Sequence, residues 1–172
     1  EYPENKICDN INYTYDLDKL KNYINKFDII RLNHVIEHLS DLDSTLQILL
    51  KMLKDDGIII GQTPNSNHYS SFFWKDFWGN IHYPYHTIIF SKEGLSFFCK
   101  RNNCQLIKTE SVILTNGWAL SFENLIKEKF RLKIRGRTFI YIFLICISLP
   151  FAIFDHVINP KASANFNFFI KK

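Results

Sequence analysis

The chain has 172 residues, which is enough for one domain with a substantial buried core. Apolar residues make up 47% of the chain and charged residues 22%, as in an ordinary globular protein. The formal net charge of +4 is mild and the basic residues are scattered, so we expect no nucleic-acid partner. The four cysteines form no C-x-x-C pair, which indicates free thiols in a reducing compartment.

The first predicted elements are a strand, a helix and a second strand. Residues 11–15 alternate and are rich in β-formers, and residues 16–25 carry leucine and isoleucine at helical spacing. Residues 27–32 (FDIIRL) then form an apolar run that is typical of a buried strand. We therefore expect a strand–helix–strand unit at the start of the chain.

A longer helix is predicted after this second strand. Ser40 or Asp41 is a suitable N-cap for it. The apolar face consists of leucines at helical spacing, namely Leu42, Leu46, Leu49, Leu50 and Leu53. We expect the helix to end at Asp55-Asp56-Gly57, because glycine can adopt a left-handed cap conformation.

The second half of the chain continues this alternation. Residues 58–63 (IIIGQT) predict a strand that is covered on both faces, and an aromatic loop without clear periodicity follows over residues 68–86. A helix is predicted from Ser91 to Asn102-Asn103, and a third strand over residues 104–114. This order indicates parallel βαβ units, so the predicted fold class is α/β with a doubly wound sheet. Such sheets bind ligands at the carboxyl ends of their strands.

Several short motifs resemble those of class I, S-adenosylmethionine-dependent methyltransferases, in the same order and at similar spacing. The chain contains an F-D-x-[IV] strand that runs into H-x-[LI]-E-H, then L-K-x-x-G, T-P-N, W-G, P-x-H and F-[TS]-x-x-x-L. The matched positions are residues 27–39, 53–57, 63–65, 78–79, 84–86 and 90–95. The resemblance as a whole extends from residue 16 to residue 115.

The resemblance implies a Rossmann-like, doubly wound and mostly parallel sheet with an antiparallel last strand. The alternating segment Asn165–Ile170 matches that last strand. We expect residues 1–137 to be the C-terminal part of a methyltransferase domain and residues 138–160 to be an apolar helical segment. Residues 161–172 then contribute the last strand to the same domain.

The glycine-rich loop that holds the cofactor in this family has no counterpart in the sequence. None of the six glycines belongs to a G-x-G-x-G pattern, and in the family this loop follows the first strand. The chain also begins with Glu1 instead of methionine. We therefore expect an N-terminally truncated domain that by itself binds S-adenosylmethionine poorly and is inactive.

The resemblance also assigns cofactor contacts to residues near two predicted strand ends. It places the methionine end of S-adenosylmethionine near Asn33 and His34, which follow the strand at residues 27–32. It places the adenine near Asp16 and the neighbouring Leu17, after the preceding strand. These four residues are the predicted cofactor-binding residues.

Four residues are candidates for the chemistry. Methyl transfer from a sulfonium is an in-line displacement, which needs orientation and a deprotonated nucleophile. His34, His38 and His86 can each act as a base near neutral pH. Glu37 can orient a histidine or hold a divalent cation that lowers the pKa of an acceptor hydroxyl.

Related O-methyltransferases of quinone biosynthesis use an E-H pair at this place for a metal. That resemblance implies a magnesium ion, although the sequence assigns no set of metal ligands.

Other roles for the same residues stay open at this point. Glu37 and His38 can cap the following helix or pair with each other, and His86 can be a packed, hydrogen-bonded loop residue. His34-Val35-Ile36-Glu37-His38 also matches H-x-x-E-H, the inverted zinc-protease signature. That site needs both histidines on one face of a helix, whereas a predicted strand runs directly into His34. We therefore favour the methyltransferase interpretation.

A segment near the C-terminus is almost wholly apolar. Residues 138–154 carry no charge and follow a basic run at residues 131–137. A membrane-spanning helix needs about 20 apolar residues, so this stretch is marginal, and Pro150 interrupts it. A span would also separate the predicted last strand from its sheet. We expect a helix that lies in the surface of a membrane, or else one that packs on the domain or in a dimer interface.

The sequence thus predicts a methyltransferase that modifies a hydroxyl of a lipid-linked, quinone or glycan-type acceptor. The acceptor class rests on the apolar segment and on the aromatic loop, which can wall a lipid or a sugar but can also be the core of a lid. The second expected partner is a membrane surface, and the expected location is the cytoplasmic face of that membrane. The alternative is a non-catalytic, membrane-docked domain that keeps the fold without the cofactor.

Overall fold

The computed structural model describes residues 20, 22–82, 84–112, 116–131, 139–158 and 163–172. Within them the chain forms a four-stranded sheet and five helices. The strands are β1 (Phe27–Asn33), β2 (Leu53–Pro64), β3 (Gln105–Val112) and β4 (Asn165–Lys171). The helices are α1 (Leu42–Met52), α2 (Tyr69–Trp74), α3 (Lys92–Arg101), α4 (Asn116–Phe130) and α5 (Phe139–Ile158), with 3-10 turns at Ile36–His38 and Lys75–Phe77. The predicted strand at residues 11–15 and half of the predicted helix at 16–25 lie outside the described residues, and residues 22–25 form turns instead of the predicted helix.

The strands of the sheet have the order β1-β2-β4-β3. β1 and β2 are parallel and are connected by α1, which forms the expected βαβ unit. β4 is antiparallel to both of its neighbours, with Ile59 of β2 and Leu106 of β3 both opposite Ile170. Three strands therefore point one way and the last strand points the other way. This confirms the predicted α/β fold with a mostly parallel sheet and an antiparallel last strand.

β4 contributes the centre of the main core, because its alternate residues point to one face of the sheet. Phe166 and Phe168 are fully buried, and Ile170 is buried beside them. They pack in one cluster with buried residues of the neighbouring elements, namely Ile36, Leu46, Leu50, Leu53, Ile59, Leu95, Phe98 and Cys99. Gly61 of β2 lies opposite Phe168, and a Cβ on Gly61 would lie 2.2 Å from the Phe168 ring. The sheet thus needs glycine at this position for the aromatic ring to fit.

The boundary between α1 and β2 differs from the prediction. Asp41 caps α1, but the helix ends at Met52, and Leu53 is already the first residue of β2. Asp55-Asp56-Gly57 lies where the pairing of β1 with β2 shifts register. No described glycine has a positive φ, so Gly57 is not a left-handed cap. The helix prediction was wrong because a register shift inside a strand depends on the partner strand, which the local pattern does not show.

The helix α3 and the strand after it lie close to their predicted positions. Ser91 Oγ accepts a hydrogen bond from the backbone N–H of Gly94 at 2.9 Å, which is an N-cap. Asn102 is the C-cap and Asn103 has a positive φ of 55°, so the two asparagines end the helix as expected. β3 covers residues 105–112 of the predicted 104–114.

The aromatic segment at residues 68–86 is more regular than predicted, because it contains α2 and a 3-10 turn. Trp74 and Trp78 are buried against Trp118 of α4 and form a second hydrophobic core. Phe72 and Phe73 are 83% and 69% exposed. The segment is therefore a packed unit with an exposed aromatic edge, and periodicity missed it because α2 is only six residues long.

α5 packs against α4 through a narrow stripe of its surface. The buried stripe contains Leu144, Ser148, Ala152 and Asp155, which are spaced at one helical face. The remaining faces of α5 carry exposed apolar side chains. In the portion of the chain that the structure describes, no helix combines the length and the apolar character needed to cross a membrane.

Candidate functional site

The site lies where β1 and β2 end, at the carboxyl edge of the parallel strands. His34 directly follows β1 and has a positive φ of 51°, which is uncommon for a residue with a Cβ. The 3-10 turn Ile36–His38 comes next, and its Glu37 is fully buried. Strained backbone of this kind is common at functional turns. The turn brings Glu37 and His34 into direct contact.

Both carboxylate oxygens of Glu37 accept hydrogen bonds. His34 Nδ1 lies 3.0 Å from Glu37 Oε1, and Thr63 Oγ1 donates to Glu37 Oε2 at 3.1 Å. Burial by itself raises the pKa of Glu37. The hydrogen bond and the charge of His34, a backbone hydrogen bond and the hydrogen bond from Thr63 together outweigh burial and hold the pKa below its ordinary value. Glu37 is therefore an anion at neutral pH and is held in one orientation.

His34 lies between Glu37 and β2. Its Nε2 is 2.9 Å from Gln62 Oε1, and Gln62 Nε2 donates in turn to Asn167 Oδ1 of β4 at 3.1 Å. The hydrogen bond with Glu37 raises the pKa of His34. The His34 side chain is 46% exposed, so its ring is accessible from solvent although the carboxylate beneath it is not. A histidine oriented by a buried carboxylate is the usual arrangement of a general base.

His38 and His86 lie beside Glu37 and contact each other. Their rings meet edge to face with centroids 4.7 Å apart. His38 Nδ1 donates to the backbone carbonyl of Tyr85 at 3.0 Å, and His86 Nδ1 donates to that of Asn80 at 2.7 Å. Burial lowers the pKa of His86, so this ring is neutral at neutral pH. The structure thus brings all four predicted catalytic residues together.

The predicted cofactor residues lie in different parts of the chain. Asn33 is exposed at the end of β1, where its Oδ1 accepts a hydrogen bond from Arg31 Nε at 3.2 Å. His34 follows it and belongs to both predicted groups. Asp16 and Leu17 lie outside the described residues.

The alternative roles can be compared with these contacts. Asp41 caps α1, and Glu37 bonds to His34 and Thr63 instead of His38. His86 is hydrogen-bonded within the aromatic segment, which agrees with the alternative that it is a packed loop residue. His34 has left-handed backbone and precedes the 3-10 turn, so His34 and His38 do not share a helical face. The inverted zinc-protease arrangement is therefore not formed.

Besides Thr63, two polar residues that contact His34 or Glu37 were not predicted as site residues. Gln62 bonds to His34, and Thr87 donates its backbone N–H to the carbonyl oxygen of Glu37 at 2.7 Å. Gln62 could have been found, because it is a polar residue near the end of a buried apolar strand. Thr87 had no local signal, since its contact with Glu37 spans 50 residues of sequence.

A second buried polar cluster connects the turn after β2 to α5. His68 is fully buried, and its Nε2 lies 3.2 Å from Asp155 Oδ2. Asp155 also accepts hydrogen bonds from Tyr69 Oη and from Trp118 Nε1, the latter at 2.5 Å. Burial lowers the pKa of His68 to about 4 and raises the pKa of Asp155 to about 6. Asp155 thus attaches an otherwise apolar helix to the domain.

Comparison with known proteins bears on the fold and on the family. A protein-family model described as a methyltransferase domain matches residues 4–109. No curated protein matches the chain significantly in sequence. A methyltransferase from Thermotoga maritima, described as S-adenosylmethionine-dependent and as a possible histamine N-methyltransferase, has a similar fold. It is 12% identical with a TM-score of 0.53, over 89% of this chain and 60% of that protein.

Two further solved structures have comparable folds. The mycolic acid cyclopropane synthase CmaA1 is 14% identical with a TM-score of 0.50, over 89% of this chain and 58% of that protein. The [4+2]-cyclase SpnF is 16% identical with a TM-score of 0.50, over 87% of this chain and 50% of that protein. The chain therefore spans 50% to 60% of the length of these three proteins. At such identities the similarity concerns the fold alone.

Proposed function

Because the chain belongs to the methyltransferase domain family, we propose that it is the acceptor-side part of an S-adenosylmethionine-dependent enzyme that methylates a hydroxyl group. The observation that carries the proposal is the buried Glu37 carboxylate, which orients His34 at the carboxyl ends of β1 and β2. Ligands of doubly wound sheets bind at this edge. Asn33 and His34 are exposed there, and polar side chains at a strand end suit the amino-acid end of the cofactor.

His34 is the proposed general base. S-adenosylmethionine supplies an electrophilic methyl group when it is bound. The acceptor oxygen would bond to the methyl carbon as the carbon–sulfur bond breaks, which would leave S-adenosylhomocysteine. His34 would take the hydroxyl proton, and the carboxylate of Glu37 would stabilise the resulting imidazolium. The raised pKa of His34 favours this proton transfer, because a stronger base takes the proton more readily. His34 Nε2 faces the acceptor oxygen Gln62 Oε1, so the Gln62 amide must turn away before this nitrogen can receive the proton. Exchange with solvent through the exposed ring then restores the neutral base.

The test is the rate of methyl transfer from labelled S-adenosylmethionine by the intact protein, with lipid, quinone and glycan fractions as acceptors. We expect His34→Gln to lower kcat by about 10²- to 10⁴-fold, the usual contribution of a general base. His82→Gln is the matched control, since the His82 ring contacts the His86 ring without bonding to Glu37. An unchanged kcat in His34→Gln would exclude His34 as the base.

A membrane surface is the second proposed partner, and α5 is the proposed contact. Outside its buried stripe, α5 exposes large apolar side chains, namely Phe139, Ile140, Ile142, Phe143, Ile147, Leu149, Phe151, Ile153, Phe154, Val157 and Ile158. An apolar surface of this extent marks an interaction site in a folded protein. A helix of 20 residues is about 30 Å long, so it can lie along a bilayer over its whole length.

The charge next to α5 favours lipid over a protein partner. In the sequence, Arg131, Lys133, Arg135 and Arg137 precede α5, and the last turn of α4 adds Lys129. Basic residues that precede an apolar helix in the sequence are typical of proteins that bind anionic membranes. Anionic lipids face the cytoplasm, so the proposed location is the cytoplasmic face of a membrane. An acceptor that is lipid-linked, a membrane quinone or a membrane-attached glycan is in keeping with that location.

Vesicle flotation tests the membrane contact. We expect the protein to float with vesicles that contain phosphatidylserine, and to float less at high salt because screening weakens the attraction of the basic residues. Phe154→Asp, on the exposed face of α5, should abolish flotation. Phe97→Asp is the matched control, because Phe97 is an exposed phenylalanine on α3. Equal loss in both variants, or none in either, would exclude α5 as the membrane contact.

The two experiments together separate the enzyme from its alternative. Flotation that depends on Phe154, with no methyl transfer to any acceptor fraction, would favour a non-catalytic, membrane-docked domain. Methyl transfer that depends on His34 without flotation would favour a soluble acceptor, with α5 covered by another protein surface.

A further inference from the structure

Three side chains from two parts of the chain converge beside the turn after β1. Glu37, His38 and His86 each offer one possible ligand atom, and these atoms lie within 4.8 Å of one another. Ligand atoms of one tetrahedral zinc ion lie about 3.3–3.6 Å apart, since Zn–N and Zn–O bonds are about 2.0–2.2 Å long. Side-chain rotations that bring the three atoms closer by about 1 Å would therefore place them in one coordination sphere.

The two histidines are held in the tautomer that a metal ligand needs. A backbone carbonyl oxygen can only accept a hydrogen bond, so the Nδ1 atoms facing Tyr85 O and Asn80 O must carry the ring protons. The lone pair of each neutral ring is then on Nε2. Histidine ligands in metalloproteins are usually fixed in this manner, with the other ring nitrogen donating to a carbonyl or a carboxylate.

Glu37 is held in the same way. Each carboxylate oxygen has capacity for two contacts, and the contacts with His34 and Thr63 use one on each oxygen. Glu37 is fully buried, and each of its oxygens faces one hydrogen-bond donor. His34 and Thr63 therefore orient a carboxylate that still has room to bind a cation.

We propose that Glu37, His38 and His86 bind one divalent transition-metal ion of the zinc type. Two imidazoles and one carboxylate are a common donor set for such ions, and an open position remains for water or substrate. His38 is exposed, so this open position is accessible from solvent. The bound ion would tie the aromatic segment, through His86, to the turn after β1.

The same donor set does not suit magnesium. Mg²⁺ prefers octahedral coordination by oxygen and keeps several water ligands, whereas two of the three donors here are nitrogens. We therefore do not retain the magnesium ion that the resemblance to quinone-biosynthesis enzymes implied. The proposed ion is a different metal and is held in part by His86, which lies 48 residues beyond His38 in the sequence.

The experiment measures metal binding to the full chain after treatment with a chelator, in a Cys146→Ser background. Cys146 is the exposed cysteine among those described, and its thiol would compete for the metal. We expect one equivalent of Zn²⁺ or Co²⁺ per chain by calorimetry, with visible Co²⁺ bands of nitrogen and oxygen coordination. His38→Ala and His86→Ala should each weaken binding by about tenfold or more. His82→Ala, which leaves all three ligands intact, should bind as tightly as the parent.

Melting temperatures guard against a variant that fails to fold. Zn²⁺ should raise the Tm of the parent by mass action and raise the Tm of a folded His86→Gln variant clearly less. The proposal fails if the parent binds neither metal stoichiometrically, or if His38→Ala and His86→Ala retain the parent's affinity. Binding needs no cofactor or acceptor, so loss of methyl transfer with intact metal binding would refute only the proposed function.

Discussion

The buried pair His68 and Asp155 leads to a prediction about how stability depends on pH. Burial moves the pKa of His68 from 6.5 down to about 4 and the pKa of Asp155 from 3.8 up to about 6. Between pH 4 and pH 6 the folded pair therefore carries one proton, on Asp155. The unfolded pair also carries one proton over this range, on His68. Equal proton counts in the two states mean that the pair adds no pH dependence to the free energy of unfolding.

Removing either member should make the free energy of unfolding depend on pH through the group that remains. The two single variants should change with pH in opposite directions. In Asp155→Asn only His68 titrates, and its lowered pKa contributes stability that is present above pH 6.5 and lost as the pH falls to 4. In His68→Gln only Asp155 titrates, and its raised pKa contributes stability that is present below pH 3.8 and lost as the pH rises through 6. Each pKa difference, at 1.36 kcal/mol per unit, corresponds to about 3 kcal/mol.

The assay is urea unfolding, followed by the fluorescence of the three buried tryptophans Trp74, Trp78 and Trp118. The free energy of unfolding of each variant is subtracted from that of the wild type at several pH values between 4 and 7, which removes the other titrating groups. We expect differences of opposite slope for the two single variants and a flat difference for the double variant. Slopes of the same sign, or no slope in either single variant, would refute the assignment of these two pKa values.

Three further predictions concern the sheet and α3. Gly61→Ala places a Cβ 2.2 Å from the Phe168 ring, so we expect a loss of about 1–3 kcal/mol and a lower Tm; an unchanged Tm would contradict the close packing of β2 and β4. Phe168→Ala should lower the free energy of unfolding in urea by about 3–5 kcal/mol. Phe169→Ala should lower it clearly less, because the half-buried Phe169 points to the other face of the sheet. Ser91→Ala removes the N-cap of α3 and should cost about 1 kcal/mol. Ser96→Ala, inside the same helix, is its control, and equal effects would argue against the cap.

The sequence by itself was enough to predict the βαβ unit and the helix capped by Ser91, because local periodicity and turn chemistry are determined by neighbouring residues. The antiparallel last strand was predicted from the family resemblance. Motif order also brought His34, Glu37, His38 and His86 into one hypothesis before any contact was known. For His34 the grouping follows from the sheet, because parallel strands have their carboxyl ends at the same edge. His86 was included only because its motif resembles one of the family.

The pairing of those residues was decided by the tertiary structure. The sequence left Glu37 free to cap a helix or to pair with His38, whereas the fold pairs it with His34 and with Thr63, 26 residues away. The fold also attaches α5 through Asp155 to His68, over a separation of 87 residues. Contacts at such distances depend on how strands and helices pack in three dimensions, and periodicity describes only one element at a time. The local pattern therefore indicated which residues gather at the site, and long-range packing determined which of them touch.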